Sequence, residues 1–143
     1  MDSAKSHQIV ADWFSAMGRF DWGPVMDTMS DDVVFTIDPQ PYTKVIPYTG
    51  RWVGKGAFME ASQIRNETSQ LSGLDVHGIV AEGNTAVARI TSKATVIKTG
   101  VYFELDIIQW IELNDDGKIV KVDAIFDPVP EMNAFVPGLV PGA

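Results

Sequence analysis

The second half of the chain contains four extended segments separated by short turns, and this pattern constrains the fold more than any other feature. Each turn places glycine beside asparagine, aspartate or threonine, which is typical of hairpin connections. Long strands of an antiparallel sheet accumulate twist, so the sequence predicts a curved antiparallel meander. The predicted strands are Leu74–Val80, Thr85–Ile97, Val101–Leu113 and Lys118–Phe126.

The first half predicts three helices around two short extended segments. Apolar residues at helical spacing between Ser3 and Arg19 predict the first helix. Pro24 falls where a helix accepts proline, in the first turn, and so predicts a second, short helix. A third helix is predicted over about Ala57 to Leu71. The predicted extended segments are Val33–Ile37 and Tyr48–Trp52.

Length and composition limit the domain organisation and the partners. The 143 residues are predicted to form one domain, 1–143, with 128–143 as a C-terminal tail that either folds back or frays. The chain has no cysteine, which excludes disulfides and thiolate zinc sites. A net charge of −8 disfavours nucleic acid and anionic membranes as partners. No apolar run resembles a signal peptide or a membrane span, so a cytoplasmic location is expected.

Asp38 is the first candidate for chemistry. It directly follows the predicted strand Val33–Ile37 and precedes Pro39. Burial of a carboxylate at the end of an apolar strand would raise its pKa and make it a usable general base. Asp-Pro is also common turn chemistry, so the alternative is that Asp38 only ends the strand.

The alternation along Val101–Leu113 predicts two contrasting faces. One face is apolar except for Gln109. A buried amide needs protein partners, water or a ligand, so Gln109 indicates either a pocket or a satisfied core residue. The other face mixes acids with Tyr102, Ile108 and Trp110, which favours a dimer interface; the alternative is cover by the C-terminal tail.

Three short segments, in order, carry a resemblance to a known family: SDDVVFTIDP, PYTGRWVGKGAF and DDGKIVKVDAIFDP. With the order of the predicted elements, they make the chain similar to the nuclear-transport-factor-like superfamily, which includes ketosteroid isomerases and SnoaL-like polyketide cyclases. The resemblance implies a cone-shaped α+β fold, with three N-terminal helices packed on a curved mixed or antiparallel sheet that encloses an apolar pocket. It also implies a homodimer.

The isomerase resemblance assigns possible roles to individual residues. It places the catalytic base on Asp38, the oxyanion tyrosine position on Phe14 and the protonated aspartate position on Gln109. Phe14 has no hydrogen-bond donor, and an amide donates more weakly than a carboxylic acid. A loop tyrosine could supply the missing hydroxyl. The further pocket candidates are Tyr42, Tyr48 and Phe126.

Other polar residues are weaker candidates. Asp127 and Arg89 resemble two members of the Asp-Arg-Asp set of limonene epoxide hydrolases, but Thr91 stands where the second aspartate is needed. The alternatives are a turn for Asp127 and a strand-edge ion pair for Arg89. His77 could be a pocket acid or base, because histidine titrates near neutrality; the alternative is a surface strand residue.

The sequence and the resemblance together predict a cofactor-independent enzyme, without a metal site, that acts on a hydrophobic polyketide-, terpenoid- or steroid-like molecule. The reaction would be isomerisation, cyclisation or dehydration, with Asp38 moving the proton. The alternatives are a non-catalytic binding or dimerisation module and an epoxide hydrolase-like activity.

Overall fold

The computed structural model describes residues 1–37 and 44–142. Within them the chain forms four helices and six strands. The helices are α1 Ser3–Gly18, α2 Trp22–Thr28, α3 Lys55–Thr68 and α4 Val129–Phe135. The strands are β1 Met29–Ile37, β2 Gly50–Val53, β3 Ser69–Glu82, β4 Thr85–Val96, β5 Tyr102–Leu113 and β6 Ile119–Ile125. Asp38 and Tyr42, two of the predicted site residues, lie outside the described residues.

All six strands join one mixed sheet in the order β2-β1-β6-β5-β4-β3. The pairing of β1 with β6 is parallel, and the other pairings are antiparallel. The predicted α+β architecture is therefore confirmed, with the meander β3–β6 forming most of the sheet. Buried and exposed side chains alternate along β5, as the sequence predicts, because successive strand residues point to opposite faces.

The inner face of the sheet packs against the helices. The wide apolar face of α1 supplies Val10, Trp13 and Phe14, each at most 2% exposed. The Trp13 indole nitrogen donates a hydrogen bond to the Val25 carbonyl at 3.3 Å and so fixes α2 against α1. None of the described helices is both long and apolar enough to cross a membrane.

Several predicted boundaries differ from the structure because strand pairing overrides local sequence preference, and the largest difference is the start of β3, at Ser69 instead of Leu74. The third helix ends at Thr68 rather than Leu71, since the next residues, 69–71, pair with β4. The first strand starts at Met29, which already pairs with Ile119 of β6. The short extended segment starts at Gly50, and Tyr48 lies in the preceding turn.

The C-terminal segment folds back onto the domain instead of fraying. Its helix α4 begins beside two prolines, whose fixed φ suits a first helical turn. The Thr99 hydroxyl donates to the Ala134 carbonyl at 2.6 Å and ties α4 to the β4–β5 turn. Phe135 packs on the core, and its ring centroid lies 6.2 Å from that of Tyr48. The segment therefore closes one side of the inner face of the sheet.

Candidate active site

A cavity of about 110 Å³ lies between α3 and the inner face of the sheet. The helix contributes residues at positions i, i+3, i+4 and i+7, which share one face of an α-helix. The strands contribute alternate residues, as the pleat requires. Most of the lining is apolar and aromatic, which is typical of a site for a hydrophobic small molecule. The α3 residues are Phe58, Ala61, Ser62 and Arg65, and the β5 residues are Phe103, Leu105, Ile107 and Gln109.

Gln109 is the polar residue on the β5 wall of this cavity. Its side chain is 6% exposed, and its Oε1 atom has no hydrogen-bond partner within residues 1–37 and 44–142. Leaving a buried polar atom unpaired costs about 1–3 kcal/mol. Across the sheet, Gln109 pairs with Ala124 of β6, which in turn pairs with Ile37, the last residue of β1. The amide thus lies two strands away from the point where the chain leaves β1 toward Asp38.

A second polar group lines the cavity around Tyr48. Its hydroxyl donates a hydrogen bond to Oε2 of Glu131, and both side chains are buried. Burial raises the pKa of the Tyr48 phenol, and the neighbouring Glu131 charge raises it further. The Ser69 hydroxyl lies near the Tyr48 phenol and opposes the rise of its pKa. The two groups do not meet the geometry of a hydrogen bond, and Oγ of Ser69 has no other partner in the described part of the chain.

Arg65 of α3 belongs to the same group. Burial lowers the pKa of its guanidinium, while the nearby Tyr48 and Glu131 favour the charged form. A cation and a carboxylate therefore face the cavity together. The group offers hydrogen-bond donors from Arg65, an acceptor from Glu131 and a hydroxyl from Ser69 that can serve as either.

The cavity brings together three of the predicted site residues, which are Gln109, Tyr48 and Phe126. Phe14 is not among the lining residues. It lies in the core of α1, with its ring centroid 5.1 Å from that of Trp13. The position that the isomerase resemblance assigned to the oxyanion tyrosine thus carries a packing residue, and among the described residues Tyr48 is the tyrosine that lines the cavity.

The three weaker candidates are not at the cavity. Arg89 donates two hydrogen bonds to Asp106, at 3.2 and 3.0 Å, between exposed side chains of neighbouring strands. His77 contacts Thr91, with 2.6 Å between Nε2 and Oγ1, and is also exposed. The Asp127 carboxylate accepts from the Val129 backbone N–H at 3.0 Å, at the start of α4. These contacts match the structural alternatives that the sequence left open.

Sequence reasoning assigned no role to Glu131 or Arg65. Glu131 is the one acid after Asp127, and it follows two prolines that suit the start of a helix. The sequence therefore indicated a short helix that carries this acid. Arg65 falls four residues after Ala61 on the apolar face of α3, a spacing that directs its head toward the same cavity.

The helices and the six-stranded mixed sheet, with an apolar cavity between α3 and the inner face of the sheet, define the α+β class of this protein. The chain belongs to the SnoaL-like domain family, whose match covers residues 10–122. An NTF2-like protein from Burkholderia xenovorans has a similar structure, with a TM-score of 0.81, 24% identity and coverage of 94% of this chain and 98% of that one. An NTF2-like protein from Burkholderia thailandensis gives a TM-score of 0.82 at 20% identity, covering 96% and 100%.

A third structure, TerC co-crystallised with polyporic acid, gives a TM-score of 0.76 at 16% identity, covering 92% of this chain and 98% of that one. Among curated protein sequences, none is similar enough to this chain to count as a relative. At these identities the three structures establish the fold alone.

Proposed function

We propose that this protein is a cofactor-independent acid–base enzyme that isomerises, cyclises or dehydrates a hydrophobic small molecule in the cavity. The observation that carries the proposal is Gln109, a buried amide on the wall of an apolar cavity whose Oε1 atom has no hydrogen-bond partner among residues 1–37 and 44–142. The unpaired oxygen destabilises the empty protein, whereas a ligand hydroxyl could donate to Oε1 and a ligand carbonyl could accept from the N–H of the same amide. TerC, of the same fold, was crystallised with polyporic acid, which supports an organic ligand.

The proposed mechanism uses Asp38 as the base. Ile37 and Gln109 both pair with Ala124 of β6, one from each side. The chain therefore leaves β1 two strand spacings, or roughly 10 Å, from the Gln109 amide. A polycyclic or polyketide skeleton can span that distance. Asp38 would take a proton from a carbon next to the ligand carbonyl, while the Gln109 N–H donates to the oxygen as it becomes an enolate.

The proton on Asp38 then returns to a different carbon, which gives isomerisation. In cyclisation the enolate carbon attacks a second carbonyl, whose oxygen takes the proton from Asp38. In dehydration the enolate expels a hydroxyl group from the β-carbon, and that group leaves as water with the proton from Asp38. Arg89 and Asp127 lie away from the cavity, so the geometry gives no support to an epoxide hydrolase.

Deuterium exchange tests the proposal without knowledge of the natural substrate. A β,γ-unsaturated polycyclic ketone is incubated with the protein in D₂O, and mass spectrometry follows deuterium uptake next to the carbonyl. The wild type should accelerate uptake, and Asp38→Asn should lose about 100-fold or more of that rate, which is typical for a lost general base. Asp116→Asn is the matched control because Asp116 is exposed in the β5–β6 turn, and it should keep the full rate.

One result would overturn the enzymatic assignment, and another would overturn the proposed mechanism. Binding of the ketone with no acceleration of exchange would indicate a non-catalytic binding module. Equal exchange by the wild type and Asp38→Asn would remove Asp38 as the base.

A further inference from the structure

The polar group around Tyr48 and the amide of Gln109 lie at different ends of the cavity wall. Along β4, Gln109 pairs with Ala88, whereas Ser69 pairs with Val96, eight residues further on. Eight residues correspond to roughly 26 Å of strand contour, which curvature and inward-reaching side chains shorten. One polar substituent of a ligand therefore cannot contact both Gln109 and Ser69.

The wall between these two ends is mainly apolar. Ile90 and Ala94 of β4 and Leu105 and Ile107 of β5 face the cavity in this stretch, and Ser92 lies between the two β4 residues. A ligand that fills the cavity thus needs a mainly apolar middle. Its polar atoms would be favourable at the two ends and beside Ser92, because an unpaired polar atom against the apolar wall is costly.

The end near Tyr48 has a defined chemical preference. Ser69 is 4% exposed, and its Oγ atom has no partner within the described residues, so it resembles Gln109 in being buried and unpaired. Arg65 supplies N–H donors, and Glu131 supplies negative charge beside it. A ligand carboxylate would be attracted by Arg65 but repelled by Glu131 beside it, whereas a hydroxyl can accept from Arg65 and donate to Oγ of Ser69 without that repulsion.

We propose that Arg65 and Ser69 form a second anchoring subsite that binds the hydroxyl group of an elongated, otherwise apolar ligand whose carbonyl lies at Gln109. The Tyr48 hydroxyl, which donates to Glu131, holds the carboxylate that completes this subsite. The inference rests on the assignment of the cavity as the ligand site, which is part of the proposed function, and does not depend on the chemistry of Asp38.

Binding of two matched probes tests the subsite. Both probes are rigid four-ring enones with a carbonyl at one end, and only one of them carries a hydroxyl at the opposite end. Isothermal titration calorimetry should show that the wild type binds the hydroxylated probe about tenfold more tightly, as expected for one good hydrogen bond to a charged group. Ser69→Ala should reduce this preference several-fold, and Arg65→Gln should abolish it.

The controls separate a lost contact from a damaged fold. Both variants should keep their affinity for the probe without the hydroxyl within about twofold of the wild type. Ser72→Ala removes an exposed hydroxyl of the same sheet, which donates to the Lys93 carbonyl, and should leave the preference intact.

Three outcomes would overturn the subsite. The wild type could bind both probes equally, the two variants could weaken both probes alike, or neither probe could bind at its solubility limit. A hydroxyl preference without deuterium exchange would instead support the subsite while overturning the proposed enzymatic reaction.

Discussion

The Tyr48 hydroxyl donates a hydrogen bond to the Glu131 carboxylate, and so joins two residues 83 positions apart in the sequence. Tyr48 lies in the turn before β2, and Glu131 lies in α4. Both are buried at the cavity. A buried carboxylate loses more when a donor is removed than an exposed one does, because water cannot replace the bond. The pair therefore holds α4 against the cavity.

Tyr48→Phe should lower the free energy of unfolding by about 2–3 kcal/mol, since it removes a donor from a buried charged acceptor. Urea denaturation measures this change. Gln8→Ala is the control because the exposed Gln8 amide also donates to a carboxylate, Oδ1 of Asp12, at 2.8 Å. That variant should lose less than about 0.5 kcal/mol. Equal losses in the two variants would show that the Tyr48–Glu131 bond contributes no more than a surface contact.

The raised pKa of Tyr48 predicts that the free energy of unfolding falls at alkaline pH. Burial raises this pKa in the folded protein, whereas the phenol of the unfolded chain titrates near pH 10. The contribution of Tyr48 to stability is thus fully present below about pH 10. It is lost as the pH rises toward the folded-state pKa, by up to about 1.4 kcal/mol per pH unit. Urea unfolding between pH 8 and about pH 11 should show a steeper loss for the wild type than for Tyr48→Phe. Parallel curves would contradict the raised pKa.

Gln109→Leu should stabilise the empty protein by about 1 kcal/mol, because it replaces a buried amide, whose oxygen has no partner in the described part of the chain, by an apolar side chain of similar size. Thermal and urea unfolding check this. Gln63→Leu changes an exposed glutamine of α3 and should alter stability by less than about 0.5 kcal/mol. If Gln109→Leu instead lowered the free energy of unfolding by more than about 1 kcal/mol, the amide would stabilise the fold, and its role as a ligand-binding group would lose this support.

The outer face of the sheet predicts a homodimer. Tyr102, Ile108, Trp110 and Ile125 are all exposed there, on adjacent strands. Light scattering should give about twice the 15.7 kDa of one chain, and Trp110→Lys should reduce the mass toward that of a monomer. Val136→Lys introduces the same charge at an exposed site beyond α4 and should leave the dimer intact. A monomeric wild type would refute the interface.

Much of the fold could be predicted because its signals are local and repeated. The alternation along β5 gave both faces correctly, and glycine-containing turns marked the hairpins between β3 and β6. The boundaries at Ser69 and Met29 could not be obtained in this way, since long-range strand pairing decides them.

The site was only partly predictable for the same reason. Gln109 was visible as a polar interruption of an apolar face, which is a local pattern. Glu131 acquires its environment from Tyr48 and from α3, which are far away in sequence, and no local pattern reveals that a single acid in a proline-rich segment is buried. The short helix α4 is stabilised by its packing on the sheet, as most helices of this length must be.

The most direct measurement is the infrared carbonyl stretch of a ¹³C-labelled polycyclic ketone bound to the wild type and to Gln109→Leu. If the Gln109 N–H donates a hydrogen bond to the ligand carbonyl, binding to the wild type should lower the stretching frequency below its value in an apolar solvent. Binding to Gln109→Leu should restore that value. Equal frequencies in the two proteins would contradict the placement of the carbonyl at Gln109, and with it the proposed mechanism.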